Sequence, residues 1–522
     1  MPLHHRTASL SGLALFWIAS GVAAETVYVD RNNPNCPGSG TESDPFCQIQ
    51  DGLNAAADGD TVLVSSGTYR ETGLDFRGRV IHLVSRDGAS TSVIDAELSS
   101  AAAVGFLSGE GPGSILEGFT ITRAYVAVGC TDSSPTLRKN IISGNGVCAC
   151  TDIGPAAAAI SLLRSSATIS GNLIAWNATR AIAFEDSRPQ IWGNRIEGNG
   201  VPSCDPSGGG GIYFAHSQPV IVNNVLRFNF APGYDGDSCG GGGFAPVPGL
   251  GGAICCFDSS PLIAGNLMVE NSATHGAGLY LGFGTRAVLS LNTLTRNSAQ
   301  GTGGALFCEA GTNVVLSSSV LWSDSASLDP EIHDLSGVLV ATDCDVQGGW
   351  PGGGNIDLDP IFVDADGEDY RLQISSPCID AGDATLRTCD QDLAGVPRVL
   401  DGRLSGSQRV DIGALEFGNM EVEVSGDLRP GGYLVVDVSG TSGLPAWMFV
   451  GATPGQLCSR YGALYIDLST PWILLPWGTI PSKVQIPIPP SIPTPVQFLM
   501  QGLALGASSG GNTSNLATVI VQ

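Results

Sequence analysis

The 522-residue sequence predicts an all-β fold, in which a solenoid of short stacked strands is followed by a small β-sandwich-like domain. Three observations predict it. Glycine is abundant, with 71 residues, and charged residues make up only 14% against a typical ~25%, which favours short strands joined by tight turns. A unit with two asparagines recurs through the middle of the chain. After residue 417 this unit gives way to alternating strands with Pro-rich connections.

The first 24 residues have the pattern of a secretory signal peptide. A polar start is followed by an apolar run, Leu10–Val22, and by small residues before a cleavage position at Glu25. No later apolar run of ~20 residues indicates a membrane span. We therefore expect residues 1–24 to be removed and the rest of the chain to be secreted or displayed at the cell surface.

The acidic balance of the chain narrows the choice of partners. The formal charge is −25, and lysine occurs only at Lys139 and Lys483. A basic surface for nucleic acid or for anionic membranes is therefore not expected. An acidic protein also repels acidic polymers unless bound Ca²⁺ bridges the two.

The 14 cysteines all follow the predicted cleavage position, which fits an oxidising compartment. Their connectivity does not follow from the sequence. We expect two local disulfides, Cys36 with Cys47 and Cys378 with Cys389, and leave the other pairings open.

The repeated unit contains an aliphatic residue, an asparagine, a second aliphatic residue, and a second asparagine five positions after the first. Its copies are PTLRKNIISGN at 135–145, ATISGNLIAWN at 167–177, PQIWGNRIEGN at 189–199, PVIVNNVLRFN at 219–229, PLIAGNLMVEN at 261–271, AVLSLNTLTRN at 287–297, and a degenerate VVLSSSVLWSD at 314–324. Alternating aliphatic residues are typical of short strands with one buried face. Asparagine suits the turn between two strands, and its recurrence once per coil predicts an internal ladder with a step of ~4.8 Å.

A second pattern precedes each unit and predicts another strand in every coil. Its third position is apolar and should point inward: Cys130, Leu162, Phe184, Phe214, Cys256, Leu281 and Cys308. Its second position should point outward: Gly129, Ser161, Ala183, Tyr213, Cys255, Tyr280 and Phe307. Cys256 and Cys308 would then lie two coils apart, about 9–10 Å, which is too far for a disulfide.

Two segments and the repeats together resemble a known family. Ile49–Glu71 (IQDGLNAAADGDTVLVSSGTYRE) resembles the helix-plus-first-strand cap of right-handed parallel β-helix proteins of the pectin-lyase-like superfamily. Gly354–Phe417, which includes VDIGALEF, resembles the closing segment found after such helices in exported bacterial proteins. The resemblance implies a right-handed parallel β-helix with its cap over 25–353 and a closing segment over 354–417. Residues 418–522 remain as the β-sandwich-like accessory domain.

The β-helix enzymes that this chain resembles bind polysaccharide along one parallel sheet, and the same fold also carries lyases, hydrolases and adhesins. The equivalent sheet here is the one formed by the second pattern. Its fifth position carries Asp132, Arg164, Asp186, His216 and Asp258 on successive coils, with Glu185 beside them and Tyr213 and Tyr280 pointing outward. Such carboxylates, imidazole and aromatic rings can bind sugars. The alternative is a set of solvated, weakly paired surface groups.

Two reactions are compatible with these residues. A uronan lyase needs a base, and Arg164 is better placed for this role than Lys139, the only lysine of the predicted helix. An inverting glycoside hydrolase needs two carboxylates ~6.5–9.5 Å apart, and Asp186 and Asp258, two coils apart, lie about 9–10 Å from each other by coil spacing. The Asn-Thr-Asp and Gly-His motifs of polygalacturonase-type hydrolases have no obvious counterpart in this sequence. The sequence therefore leaves open whether the protein is an enzyme.

A cluster of carboxylates in the closing segment is a candidate cation site. Asp364, Asp366 and Asp369 flank a glycine in the manner of Ca²⁺-binding loops, and an acidic turn is the alternative. No cofactor is required by the fold. Taken together, the sequence predicts an exported, monomeric β-helix that binds, and as an enzyme would process, extracellular polysaccharide. The alternative function is a non-enzymatic surface, adhesion or spacer protein.

Overall fold

The three-dimensional structure is a computed structural model. It describes residues 24–146, 158–200, 208–234, 247–373, 375–383, 391–396, 398 and 409–417, and within 420–521 the strands named below with a few residues that join them.

Three long parallel sheets, here called sheets A, B and C, run along a common axis, and from residue 74 onward each coil contributes one strand to each of them in the order B, A, C. In the described residues sheet A contains Thr26–Val29, Thr61–Val64, His82–Ser85, Ile115–Glu117, Thr136–Arg138, Thr168–Ser170, Gln190–Trp192, Val220–Val222, Leu262–Ala264, Arg286–Ser290, Asn313–Ser317 and Val340–Thr342. Sheet B contains Leu74–Asp75, Val104–Phe106, Val128–Thr131, Ala158–Leu163, Arg180–Glu185, Ile212–Ala215, Ile254–Phe257, Leu279–Leu281, Leu306–Cys308 and Ile332–Asp334. Sheet C contains Gly67–Tyr69, Ser92–Asp95, Thr120–Thr122, Ile141–Ser143, Leu173–Ala175, Arg195–Glu197, Val225–Arg227, Leu267–Val269, Thr293–Thr295, Val320–Trp322 and Asp345–Val346. This arrangement confirms the predicted parallel β-helix.

The N-terminal end of the helical stack is closed by the one helix of the described residues, Ile49–Ala55. Ile49 and Leu53 are fully buried and pack into the same core as the first strands. The Glu71 carboxylate accepts hydrogen bonds from the backbone N–H groups of Ile49 and Gln50 at 2.7 and 3.0 Å, which satisfies donors at the start of the helix. The helix predicted within the cap is thus confirmed.

The predicted disulfide between Cys36 and Cys47 is confirmed, with a Cα–Cα distance of 5.6 Å. The other predicted pair is not tested, because Cys389 lies outside the described residues. The Cys378 thiol is buried and donates to Asp345 Oδ2 at 3.2 Å.

The core lies inside the coils and follows the predicted columns. All seven third-position residues of sheet B are buried, and Cys256 pairs with Leu281 and Leu281 with Cys308, so that the two cysteines are two coils apart as expected. Phe184 and Phe214 stack face to face in this column, with ring centroids 4.8 Å apart. Stacked neighbours of this kind bury an apolar face that no single coil could bury alone.

Two buried asparagine ladders run along the turns on either side of sheet C. Each Nδ2 donates to the Oδ1 of the asparagine on the next coil at 2.8–3.1 Å, from Asn140 to Asn292 in the first ladder and from Asn145 to Asn297 in the second. The backbone N–H of each donates to the same oxygen in both ladders. The predicted ladder is therefore present twice, and it satisfies polar groups that the coils bury.

The second-position residues of sheet B lie outside the coil, but several of them are not exposed. Cys255 is fully buried, and Tyr280 and Phe307 are only 6% and 8% exposed. They form an outer cluster with Tyr213, Leu250 and Phe257. A short parallel sheet lies beside sheet B and is built from Phe230–Ala231, Ser272–His275 and Ser298–Thr302, and Gly233–Tyr234 pairs with Val247–Pro248. The outer cluster therefore covers this part of sheet B, and the short sheet adds a fourth strand to three coils, between sheets C and B.

The closing segment packs on the outer face of sheet C. It contains an antiparallel pair, Phe362–Asp364 and Asp369–Leu372, and Tyr370, Ala414 and Leu415 form a small core with Leu267 and Val269 of the sheet.

The VDIGALEF sequence forms the end of this segment. Asp411 accepts hydrogen bonds from the backbone N–H groups of Asp380 and Phe417, and Glu416 accepts one from the N–H of Asp411. The two carboxyl groups are buried. Their role is to satisfy backbone donors of the closing segment.

The remaining strands form small antiparallel sheets, as a β-sandwich-like domain requires. They are Met420–Asp427, Tyr433–Gly440 and Ser482–Pro487 in one sheet, Pro445–Gly451, Trp472–Thr479, Val496–Leu505 and Gly511–Val521 in a second, and Pro454–Ser459 and Gly462–Ile466 in a third. Within the part of the chain that the structure describes, no helix has the length and apolar character needed to cross a membrane.

Candidate functional site

The fifth-position residues of the second pattern lie in one column at the turn from sheet B to sheet A. All of them have a left-handed backbone, with φ between 42° and 52°: Asp132, Arg164, Asp186, His216 and Asp258. Asp and His tolerate this conformation better than most residues, which accounts for their recurrence at the turn. Because the adjoining strands are in register, the five side chains lie on consecutive coils, as the alignment predicted.

Arg164 is held by the first residue of this column. Arg164 Nε donates to Asp132 Oδ1 and Arg164 Nη2 donates to Asp132 Oδ2, each at 2.7 Å, which makes a bidentate ion pair. The hydrogen bonds that Arg164 donates to Asp132, with added attraction from Asp132 and Asp186, raise the pKa of Arg164, and the same hydrogen bonds lower the pKa of Asp132. A guanidinium held in this way keeps its proton, which argues against a role as base.

The structure brings two of the predicted carboxylates together around the imidazole of a third predicted residue. His216 Nδ1 lies 3.4 Å from Glu185 Oε1, and His216 Nε2 lies 3.7 Å from Asp258 Oδ2. The three residues belong to consecutive coils, and the His216 side chain is 53% exposed. We call Glu185, His216 and Asp258 the imidazole–carboxylate group. In this group, a solvent-exposed imidazole lies between two exposed carboxylates.

Tyr213 forms part of the surface next to this group and is fixed by a residue that the sequence did not suggest. The guanidinium of Arg180 lies over the Tyr213 ring at 4.4 Å from its centroid, and Arg180 Nε donates to Gly208 O at 2.6 Å. Arg180 is buried. The only sign of it in the sequence was a basic residue directly before the apolar run of its strand.

The sequence predicted that Tyr280 is an exposed, sugar-binding ring, but the structure shows that this ring is covered. It stacks on Phe307 with centroids 4.8 Å apart and the rings 12° from parallel, and it contacts Phe257 at 5.9 Å. Burial raises the pKa of its hydroxyl. Tyr280 thus belongs to the covered outer cluster of sheet B, and one face of its ring is occupied by Phe307.

The carboxylates proposed for Ca²⁺ are not gathered around a common point. Asp369 pairs with Arg371 at 2.7 Å, Asp366 pairs with Arg296, and Asp364 Oδ1 accepts from the backbone N–H of Gly367 at 3.0 Å. In the described part of the chain no group of three His, Cys, Asp or Glu side chains is arranged to hold a metal ion.

Arg227 and Arg296 come from sheet C and the turn after it, and Arg227 also pairs with Glu368. These arginines attach the acidic turn to the helix, which favours the structural alternative for this turn. Ca²⁺ binding remains a prediction.

A second opening in the surface was not foreseen. A pocket of about 900 Å³ lies between the edges of sheets A and C and residues 391–395, and its wall includes the exposed indole of Trp192. Gln190, Arg195 and Asn223 add polar groups to the lining. The sign of this site in the sequence was a tryptophan at an outward position of the third repeat.

A search of curated protein sequences found no match. Among solved structures, pectate lyase Pel9A is 14% identical with a TM-score of 0.48, covering 76% of this chain and 98% of that one. XylC in complex with xylose is 10% identical with a TM-score of 0.41, covering 95% and 100%. The family 28 exopolygalacturonase of Yersinia enterocolitica is 12% identical with a TM-score of 0.22, covering 62% and 66%.

The family model described as "Right handed beta helix region" matches residues 80–241 and 153–344, which together span just over half of the chain. This region contains the repeats, the asparagine ladders and most strands of the three parallel sheets. The chain therefore belongs to the right-handed β-helix family.

Proposed function

We propose that this protein binds an extracellular polysaccharide along the edge where sheet B turns into sheet A. The observation that supports the proposal is the imidazole–carboxylate group, in which His216 lies 3.4 and 3.7 Å from two exposed carboxylates. The group extends over three consecutive coils, about 10 Å along the axis, so a polymer lying parallel to the axis meets all three side chains.

The chemistry of the group suits hydroxyl-rich ligands. Carboxylates accept hydrogen bonds and an imidazole donates at one or both ring nitrogens, whereas sugars present both kinds of partner. Tyr213 is held in place beside the group by Arg180, and a ring that is already fixed loses little conformational entropy on binding. The neighbouring Asp132–Arg164 pair continues the polar edge toward the N-terminal end.

Turnover is a separate question from binding. Hydrolysis with inversion requires one carboxyl group as acid and another as base, and Asp186 and Asp258 remain the pair proposed for it. Elimination requires a base, and Arg164 is tied to Asp132. Our proposal is therefore binding, with hydrolysis as the reaction that carboxylates at this edge could support.

The decisive experiment is a binding panel with the secreted protein. Titration calorimetry against neutral and acidic polysaccharides, with and without Ca²⁺, should identify at least one ligand. We expect His216→Ala and Tyr213→Ala each to weaken binding about tenfold or more, since a hydrogen bond to a charged or fixed partner contributes ~1.5–3 kcal/mol. His82→Ala, which removes the same side chain from a distant coil of sheet A, is the matched control.

Each outcome has a consequence. If Trp192→Ala abolishes binding while His216→Ala does not, the ligand occupies the pocket beside residues 391–395 and the proposed site is wrong. If no polysaccharide binds, the non-enzymatic spacer or adhesion alternative is favoured. Release of new reducing ends that stops in Asp258→Asn would add hydrolysis to the proposal.

Export is part of the proposal. Residues 1–23 lie outside the described structure, and the predicted cleavage leaves Glu25 as the first residue. N-terminal sequencing of protein recovered from the culture medium tests this directly. A mature protein that starts elsewhere, or that stays inside the cell, would contradict an extracellular ligand.

A further inference from the structure

The second asparagine ladder ends in an aspartate. In each coil before it, the asparagine Nδ2 also donates to a backbone carbonyl of the preceding coil, as Asn271 does to Leu226 O at 2.9 Å and Asn297 to Met268 O at 3.0 Å. Asp324 takes the next place, and its Oδ1 accepts from the backbone N–H and Nδ2 of Asn297 at 2.6 and 2.8 Å. Its Oδ2 therefore occupies the place where every other member of the ladder has a donor.

A second carboxyl group lies next to this one. Glu331 Oε1 accepts from the backbone N–H of Asp324 at 3.2 Å. Both residues are only 7% exposed, and Asp324 Oδ2 and Glu331 Oε2 have no hydrogen-bond partner. Two ionised carboxylates buried side by side, each with one oxygen that has no donor, would be strongly unfavourable.

A pocket of about 430 Å³ lies beside the pair, and Asp324, Asp329, Glu331 and Trp350 contribute to its wall. The two unpartnered oxygens each expose less than 1 Å², so they are closed off from this pocket. A ligand in the pocket would not reach them. A proton is small enough to satisfy both.

We propose that Asp324 and Glu331 share one proton, carried on Asp324 Oδ2, and that this proton holds the last coil of the second ladder closed. The proton restores the donor that an asparagine would supply at this place. Burial, and then repulsion from Glu331, raises the pKa of Asp324 well above its usual value, and burial raises the pKa of Glu331 to about 7.

The charged groups around Asp324 and Glu331 are paired with other residues. On the same segment, Asp329 pairs with His333 Nδ1 at 2.6 Å. On the preceding coil, Arg296 pairs with Asp366 and Glu270. On the next coil of sheet C, Asp345 bonds the Cys378 thiol. Within the described residues, neither Asp324 nor Glu331 has a basic partner within ion-pair distance.

The direction of the pH effect follows from these shifts. Both carboxyl groups take up protons more readily in the folded chain than in the unfolded chain, where Asp and Glu titrate near 4. Their contribution to stability is therefore fully present below about pH 4 and is lost as the pH rises from there through the raised pKa values of the folded pair, about 7 for Glu331. The device makes the C-terminal coils of the β-helix a structure that tightens in acidic surroundings and loosens in alkaline ones.

Hydrogen exchange measured by mass spectrometry on peptides covering 295–335 tests the proposal. After correction for the intrinsic exchange rate, protection in the wild type should fall by up to about tenfold for each pH unit above about 4 and level off where the folded pair itself ionises, because only over that interval does the closed coil hold a proton that the opened coil has lost. Asp324→Asn, which supplies the donor permanently, should hold protection constant over the same pH range. Asp87→Asn makes the same change at an exposed position and should behave as the wild type.

Two further measurements keep the result unambiguous. Glu331→Gln removes the same repulsion from the other side and should also flatten the pH dependence. The difference between infrared spectra of the wild type and of Asp324→Asn at pH 6 should contain the band of a protonated carboxyl group. Protection that does not change with pH in the wild type, or an unchanged pH dependence in both variants, would overturn the proposal, and neither result bears on polysaccharide binding.

Discussion

Replacing one asparagine in the middle of the first ladder, Asn224→Ala, tests whether the ladders hold the coils together. Asn224 Nδ2 donates to Ile191 O at 2.9 Å, to Val222 O at 3.1 Å and to Asn266 Oδ1 at 3.0 Å. Its Oδ1 accepts from the backbone N–H and the Nδ2 of Asn194 at 2.9 and 3.0 Å. The side chain is fully buried, so water cannot replace these partners without opening the turn.

The expected cost can be estimated from what alanine leaves behind. Asn194 Nδ2 keeps its bonds to Ile169 O and Trp192 O, whereas the buried backbone N–H of Asn194 loses its acceptor. An unsatisfied buried donor costs about 1–3 kcal/mol, and each lost hydrogen bond about 0.5–1.5 kcal/mol net. We expect the free energy of unfolding to fall by about 4 kcal/mol, a large share of the ~5–15 kcal/mol typical of folded proteins.

Urea unfolding followed by far-ultraviolet circular dichroism measures this change as a shift of the midpoint. Asn313→Ala is the matched control, because Asn313 is an exposed residue of a sheet A strand and a surface substitution of this kind changes stability by about 0.5 kcal/mol or less. If Asn224→Ala shifts the midpoint no more than Asn313→Ala, the ladder does not stabilise the helix and the argument from its hydrogen bonds fails.

Two further predictions concern the core and the N-terminal cap. Phe214→Ala should lower the free energy of unfolding by about 3–5 kcal/mol, since it empties a fully buried site stacked on Phe184, and a loss below 1 kcal/mol in urea unfolding would show that the column collapses around the gap. Cys36→Ser should lower the melting temperature of the oxidised protein, because the bridge to Cys47 closes a loop with a sequence separation of 11 and such bridges contribute about 2–4 kcal/mol, whereas an unchanged melting temperature by calorimetry would exclude this contribution.

The repeats carried enough information to predict the fold and the register. Two asparagines per coil can satisfy one another only if the coils are stacked in parallel and in register, so their spacing specified which residues are neighbours. The column from Asp132 to Asp258 followed from the same alignment. Which side chains of this column pair with each other depends on side-chain positions that differ by less than the spacing between coils. The position of the His216 ring between Glu185 and Asp258 could therefore be seen only in the three-dimensional structure.

The exposure of outward residues was the part that the repeats could not predict. Alternation along a strand tells which side of the sheet a side chain takes, but it does not tell what packs over that side. Tyr280 and Phe307 point outward and are nevertheless covered within an outer cluster that includes Leu250, a residue from an insertion between coils. The acidic turn at 364–369 shows the same limit, since Arg227 and Arg296 are 141 and 70 residues away from their partners in it.

The ends of the two ladders explain why the seventh repeat is degenerate. An asparagine continues the ladder from one coil to the next, because its Oδ1 accepts from the asparagine of one neighbouring coil and its Nδ2 donates to the asparagine of the other. Ser319 Oγ accepts a hydrogen bond from the backbone N–H of Asn292 at 3.1 Å. Its hydroxyl donates to Ser317 O, within its own turn, and not to the next coil. Asp324 accepts from Asn297 and has no amide to offer onward. Both substitutions stop the ladder at the same coil. An uncapped parallel stack would leave donors free to recruit another strand. The loss of the motif at 314–324 therefore ends both asparagine ladders one coil before the last strands of the three sheets, and the shared proton of Asp324 and Glu331 is the consequence of ending one ladder with a carboxyl group in a buried place.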